Sequence, residues 1–393
     1  MPRGLSLYNT MSARKEAFRP AVPGVATMFV CGPTVQGPMH MGHARTYLFY
    51  DVLTRYLRHL GNAVTFIVNI TDVDERITQA AEESGVSPTA LARRYEARFL
   101  EDMGRLGIDT VTSYERVSDY IDEAQNQIAA LIANKHAYAV DGWVYFDVST
   151  FPAFGKLSHL TKRELSLRPL ELSSKKRNLL DFSLWRPQIL VKRKWGSPWG
   201  LGSPGWHIQD TAITLTKLGS SYDIHGGAYE LIYPHHEAEI AQAESITGVK
   251  PVVRYWVHTR LVNTEGEKMS KSAGNVYEVR DALKKFGPNE IRFFFLKHHY
   301  RRDVGLEGLE DAALEYREFV GQVRRLDEHV GTPGRHSGSS PLAPFYAALN
   351  DDMDTPGAIS WLERASKSRN SGLDASSIRV ASGVLGLGLL GPT

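Results

Sequence analysis

A chain of 393 residues, 42% hydrophobic and 23% charged, is long enough for two or three domains around a sizeable core. A formal charge of +2 excludes bulk charge as a basis for nucleic-acid binding, and a single cysteine excludes an internal disulfide framework, so a reducing, cytoplasmic location is expected. There is no N-terminal apolar h-region and no apolar run long enough to span a bilayer, so neither a signal peptide nor a membrane segment is expected.

Residues 26–31, ATMFVC, read as a buried strand ending at Cys31. A turn-rich stretch with Gly32, Pro33, Gly37 and Pro38 follows. Residues 43–60 carry Tyr47, Phe49, Val52, Leu53, Leu57 and Leu60 at helical spacing, Gly61-Asn62 stops that helix, and residues 63–70 form a second strand. Strand, helix, strand is a βαβ unit, which requires parallel pairing and a right-handed crossover. Ligands of such sheets bind at the carboxyl ends of strands, where Cys31 with the His40–His43 loop and the stretch 71–75 lie.

Ser87 as N-cap and Pro88 at the first position open a helix to about residue 106. Two β-rich runs around Asp141-Gly142 predict a hairpin over 137–148. Antiparallel material therefore interrupts the α/β domain, as an insertion over 110–200. Parallel-type strands return at 222–226 and 252–259. From about 281 the chain turns helical, with Tyr316, Phe319, Val320, Val323, Leu326 and Val330 at helical spacing within 309–330. Residues 331–341 have linker composition, two short helices are expected in the last fifty residues, and no internal repeat is visible. Basic clusters at 175–178, 191–194 and 296–302 read as solvated surface or as phosphate contacts.

Two motifs carry chemistry. His40-Met41-Gly42-His43 stands at a strand-to-helix junction. There free N–H groups and the positive dipole end attract phosphate, the glycine allows close approach, and two imidazoles can donate to developing charge. Alone, the tetrapeptide reads equally well as a capped structural loop. In 266–275, GEKMSKSAGN, Lys268 and Lys271 flank Met269 and Ser270. Two lysines at this spacing can clamp a triphosphate, and a solvated loop is the bland alternative.

Together these signatures resemble the class I aminoacyl-tRNA synthetases. The match narrows because CGPTV…HMGHARTYLFYDVLTRYL, VNITDVDERI, PGWHIQDTAI, YDIHGGAYELIYPHHEAEIAQAE, KMSKSAGNV and NDDMDTPGA run in the order found in cysteine–tRNA ligases. The resemblance covers nearly the whole chain. It implies a Rossmann-like α/β catalytic domain (1–109 and 201–260) split by an α+β connective segment (110–200). A lysine-loop and stem-contact region (261–304) and an α-helical tRNA-binding domain (305–393) follow. The further anticodon domain that many members carry is expected to be absent. Ser203 replaces a basic residue common in the family, without an assignable consequence.

By the same resemblance, Zn²⁺ is held by Cys31, Asp210, His235 and Glu239 and binds the substrate thiol. Asp210 stands where the family has a second cysteine. Thiolate and carboxylate carry equal formal charge, but the carboxylate is the harder, weaker donor. The alternative is a metal-free pocket in which Asp210 hydrogen-bonds His235. The implied amino-acid site comprises Cys31, Gly32, Thr34, Thr71, Asp72, Trp206 and His225. Thr71, Asp72 and Asp74 either hold the substrate ammonium or cap helices, and Trp206 either walls the pocket or is core. The implied ATP site comprises His40, Gly42, His43, Gly226, Gly227 and Lys271, and the two glycines read alternatively as a tight turn. His40, His43, Lys268 and Lys271, with Mg²⁺, would stabilise charge as cysteine attacks ATP. The implied partners are L-cysteine, ATP and tRNA(Cys), and a monomer is expected. A ligase acting on a small amine such as an amino sugar, and a non-catalytic tRNA-binding paralogue, are the rival readings. The run 291–296 reads as core.

Overall fold

The computed structural model describes residues 4–169, 171–187, 193–264, 267–268, 276–328, 340–367 and 373–389. An antiparallel hairpin, β1 (Ser6–Asn9) and β2 (Arg14–Ala17), precedes the βαβ unit β3 (Val25–Val30), α1 (Met41–His59) and β4 (Ala63–Ile70). β3 and β4 pair in parallel, as their order requires. α2 (Glu75–Glu83) and α3 (Pro88–Arg105) follow, α3 with Ser87 Oγ accepting from the Ala90 amide at 3.2 Å. β5 (Ser113–Arg116) then adds to β4 in parallel, so the central sheet reaches into the stretch expected to be insertion. Its sequence, SYER, has no apolar run to announce a strand.

After α4 (Ile121–Ala133) comes a four-stranded antiparallel sheet of β6 (Ala137–Val140), β7 (Trp143–Phe146), β8 (Phe182–Pro187) and β9 (Gly202–Pro204), with α5 (Lys162–Ser166) between β7 and β8. Asp141 and Gly142 turn the first hairpin with φ of 47° and 81°, the left-handed geometry a two-residue turn needs. α6 (Trp206–Leu218), β10 (Tyr222–Ala228), α7 (Glu237–Thr247) and β11 (Val253–Thr259) complete the five-stranded parallel sheet, in the order β11-β10-β3-β4-β5. β12 (Val262–Thr264), β13 (Glu267–Lys268) and β14 (Val304–Gly305) form a small sheet beside it, with α8 (Val279–Lys285) and α9 (Pro288–Leu296) between β13 and β14. α10 (Leu309–Glu328) leads to α11 (Ala343–Asn350), α12 (Thr355–Lys367) and α13 (Ala375–Leu385), one helix more than expected. Val330 and most of the expected linker lie outside the described residues.

Alternation along the strands gives the sheet two apolar faces. Met28, Val30, Phe66 and Val68 pack on the side of α1, in a core that continues through Phe293, Phe294, Phe319 and Phe345. Phe29 and Ile67 face the other way, onto Ile128, Phe146, Phe182 and Trp256 of the insertion side. The 291–296 run is core as expected. No helix among the described residues is long and apolar enough to cross a membrane.

Candidate active site

A cavity of about 680 Å³ opens at the carboxyl ends of β3 and β4. Cys31 follows β3 directly, and its amide donates to the Gly226 carbonyl at 3.0 Å. The next residue must be glycine. A Cβ on Gly32 would lie 1.5 Å from the Asn69 carbonyl oxygen, and the Gly32 amide donates to Asn69 Oδ1 at 2.5 Å. Cys31 and Asn69 are thereby locked side by side on adjacent strand ends.

His40 is the extended N-cap of α1 (φ −115°, ψ 168°). Its amide reaches His43 Nδ1 at 3.4 Å, and the two imidazoles stack with centroids 3.7 Å apart. Both line the cavity beside Gly42, at the N-terminus of a nineteen-residue helix. Two residues further on, Arg45 is buried. Its Nη1 donates to the carbonyls of Arg260 (3.1 Å) and Leu261 (2.5 Å), and its Nη2 to those of His299 (3.2 Å) and Arg302. Arg260 and Leu261 immediately precede β12 and His299 and Arg302 precede β14, and β12 pairs with both β14 and β13, which carries Lys268. Burial lowers the pKa of Arg45 to about 10. Lys271 lies outside the described residues.

At the cavity floor, and continuing behind it, is a buried cluster of ligand-type side chains. Asp210, on the first turns of α6, accepts from Asn69 Nδ2 at 2.8 Å through Oδ1, and its Oδ2 lies 3.1 Å from His235 Nε2. Glu239 on α7 places Oε1 2.9 Å from His235 Nε2 and Oε2 3.3 Å from His225 Nε2. Trp206 stacks on His235 at 4.3 Å, and His207 Nδ1 is 2.9 Å from His235 Nδ1. Cys31 Sγ lies 3.1 Å from His236 Nε2.

Burial, then Asp210 and Glu239, push the Cys31 thiol well above its ordinary pKa. Burial opposes charge on His235, but Glu239 and Asp210 outweigh it and raise its pKa. Burial raises Glu239 against the pull of His235. His225 and His236 are held well below the usual histidine range by burial and by neighbouring imidazoles. The donors of Cys31, Asp210, His235 and Glu239 lie within 4.8 Å of one another, and so do those of Cys31, His225, His236 and Glu239. Thiolate, imidazole and carboxylate are all zinc donors, so the residues present fit that ion.

The cavity gathers Cys31, Gly32, Thr34, His40, Gly42, His43, Thr71, Trp206, Asp210 and His235. Other expected positions fall elsewhere. Asp72 turns away to accept from the Ser118 amide (2.9 Å), Ser118 Oγ (2.6 Å) and Arg193 (3.1 Å). Asp74 caps α2, accepting from the Arg76 amide at 2.8 Å. Gly226 and Gly227 face protein: added Cβ atoms would meet Tyr50 Oη at 2.1 Å and Leu231 Cδ1 at 2.8 Å. The smallness of Gly226 admits Tyr50 of α1 against the sheet, and that of Gly227 admits Leu231 and His236. His225 and Glu239 sit behind the cavity wall. Asn69, Arg76, Arg45 and His236 were not singled out from the sequence. Arg76 lines the cavity, with its guanidinium 5.7 Å from the Trp206 ring. For His236 the signal was present, since it adjoins His235.

Residues 17–314 match the family described as tRNA synthetases class I (C) catalytic domain. A cysteine–tRNA ligase of Pelotomaculum thermopropionicum is 42% identical over 367 residues, covering 90% of this chain and 76% of that protein. One from Thermoplasma volcanium is 41% identical over 352 residues, covering 88% of this chain and 78% of that protein. The solved methionyl-tRNA synthetase of Mycobacterium tuberculosis in complex with methionyl-adenylate superposes with a TM-score of 0.63 at 17% identity, over 92% of this chain and 88% of that one. At that identity the likeness is one of fold.

Proposed function

The chain belongs to the class I (C) tRNA synthetases, a family of ATP-dependent ligases, and we propose that it joins L-cysteine to tRNA(Cys) in two steps. The observation that carries this reading is the meeting, on one cavity, of the stacked His40–His43 pair at the N-terminus of α1 with Cys31, Asp210 and His235.

In the first step the substrate carboxylate attacks the α-phosphorus of ATP and pyrophosphate leaves. A carboxylate is ionised at neutral pH, so no general base is needed. His40, His43 and the Gly42 amide at the start of α1 donate to the charge that grows on the phosphate, and Lys268 and Lys271 neutralise the leaving pyrophosphate, where Mg²⁺ would supply further positive charge. Thr71 and Trp206 line the cavity, where Thr71 would take the amino group and Trp206 would wall the side-chain pocket. In the second step the terminal ribose hydroxyl of the tRNA attacks the adenylate carbonyl and AMP leaves.

Cys31, Asp210, His235 and Glu239 would hold Zn²⁺, which when bound offers the substrate thiol a dedicated ligand bond. A dedicated bond discriminates between isosteres far better than apolar fit does. Asn69 fixes Asp210 for this task by occupying Oδ1 and leaving Oδ2 toward His235.

The test is amino-acid-dependent ATP–pyrophosphate exchange on the purified full chain, followed by charging of tRNA. Exchange with cysteine and not serine, together with charged tRNA, is expected. Exchange without charging would move the reading to a ligase acting on a small amine, and no exchange with any amino acid would leave a non-catalytic paralogue.

A further inference from the structure

Two donor groups overlap in this site, sharing Cys31 and Glu239. The outer one adds Asp210 and His235, which line the cavity with Cys31. The inner one adds His225 and His236, both fully buried, and touches the cavity only through Cys31.

The inner group is built as a ligand set. Both imidazoles turn Nε2 toward Cys31 Sγ, at 3.5 Å from His225 and 3.1 Å from His236. Their other nitrogens are fixed from behind. Tyr222 Oη lies 2.6 Å from His225 Nδ1. His258 Nε2 lies 2.8 Å from His236 Nδ1, and Thr10 Oγ1 lies 2.7 Å from His258 Nδ1. Outer partners of this kind set the tautomer and aim of metal-ligating histidines.

We propose that in the substrate-free chain a zinc ion rests in this inner group, held by Cys31, His225, His236 and Glu239, while Asp210 and His235 remain a hydrogen-bonded pair on the cavity wall. The inference deepens the metal assignment above and rests on it. The same ion is offered to substrate through the outer group, with Cys31 and Glu239 kept and two ligands exchanged. Glu239 suits both positions, since its two oxygens address His235 and His225 separately. Two arguments favour the inner position at rest. One thiolate and one carboxylate neutralise Zn²⁺, whereas the outer group adds a second carboxylate and leaves a net negative charge in a buried site, which is costly. The inner group also supplies two imidazoles, donors better suited to zinc than a second carboxylate.

The experiment adds one equivalent of Zn²⁺ to the metal-stripped full chain and records the zinc K-edge absorption spectrum without substrate. One sulfur and two imidazoles are expected, and a single imidazole overturns the proposal. Zinc retention in the variants checks this independently. His236→Gln should weaken zinc binding by at least ~10-fold while Asp210→Asn retains it, and the reverse order also overturns the proposal. If His236→Gln does not fold, the spectrum of the parent chain decides alone. A parent chain that binds no zinc overturns both metal assignments and leaves the ligase reading standing, because pyrophosphate exchange tests that separately.

Discussion

At the residue scale the site depends on a few close contacts. Gly32 has no room for a Cβ against the Asn69 carbonyl, so Gly32→Ala must displace one strand end. It is expected to lower both thermal stability and exchange activity, read by calorimetry and by pyrophosphate release. Asn69→Ala strips partners from the Gly32 amide and from Asp210 Oδ1. Each buried group left unmatched costs about 1–3 kcal/mol, and urea unfolding measures the sum. His40→Asn and His43→Asn should each slow adenylate formation about 10²–10³-fold, the usual effect of losing one donor to developing charge, with unfolding midpoints nearly unchanged. The imidazole pair and Cys31 were legible from the sequence because they sit in short, dense motifs. The surroundings of Asp72 were not legible, because a strand-end acid reads the same whether it faces a ligand or the next loop. Only the positions of Ser118 and Arg193 decide it, and those residues are 46 and 121 positions away.

At the element scale, α1 does more than present two histidines. Arg45 ties the same helix, through backbone carbonyls alone, to the segments that lead into β12 and β14. His43 and the base of the β12–β13 hairpin therefore keep a fixed spacing. Arg45→Lys keeps the charge but loses the planar fork that satisfies several carbonyls at once. It is expected to lower kcat for exchange while the KM for cysteine stays near that of the parent, a split that steady-state kinetics resolves. The βαβ unit was readable because helical and alternating apolar periods change at Gly61. β5 was not, because four residues of mixed polarity become a strand only by pairing with β4.

At the scale of the whole molecule, a buried ion pair joins α1 to α9, and its arginine also donates to the Leu385 carbonyl at the end of α13 at 3.4 Å. Asp51 Oδ2 on α1 lies 2.6 Å from Arg292 Nη1 on α9, and Arg292 Nη2 also donates to the Gly107 carbonyl at 2.8 Å. Asp51→Asn would strand the Arg292 charge, and removing one partner of a buried pair costs about 3–5 kcal/mol, a loss that denaturant unfolding would register. Burial raises the pKa of Asp51, but Arg292 and Arg55 outweigh it and hold it below its ordinary value. With the folded-state pKa depressed, the contribution is complete above the unfolded value of about 3.9 and is lost as pH falls through the folded one. Acid unfolding should begin at higher pH in the Asp51→Asn chain. None of this was visible in the sequence, since the partners are 241 residues apart.

The position of Cys31 has a practical consequence. It is the chain's only thiol, buried, and joined to both donor groups. A maleimide or iodoacetamide label can therefore attach at one place only, and its rate of attachment reports directly on the floor of the cavity. Occupancy of either donor group would shield that sulfur, so the labelling half-time becomes a built-in gauge of loading that needs neither turnover nor tRNA.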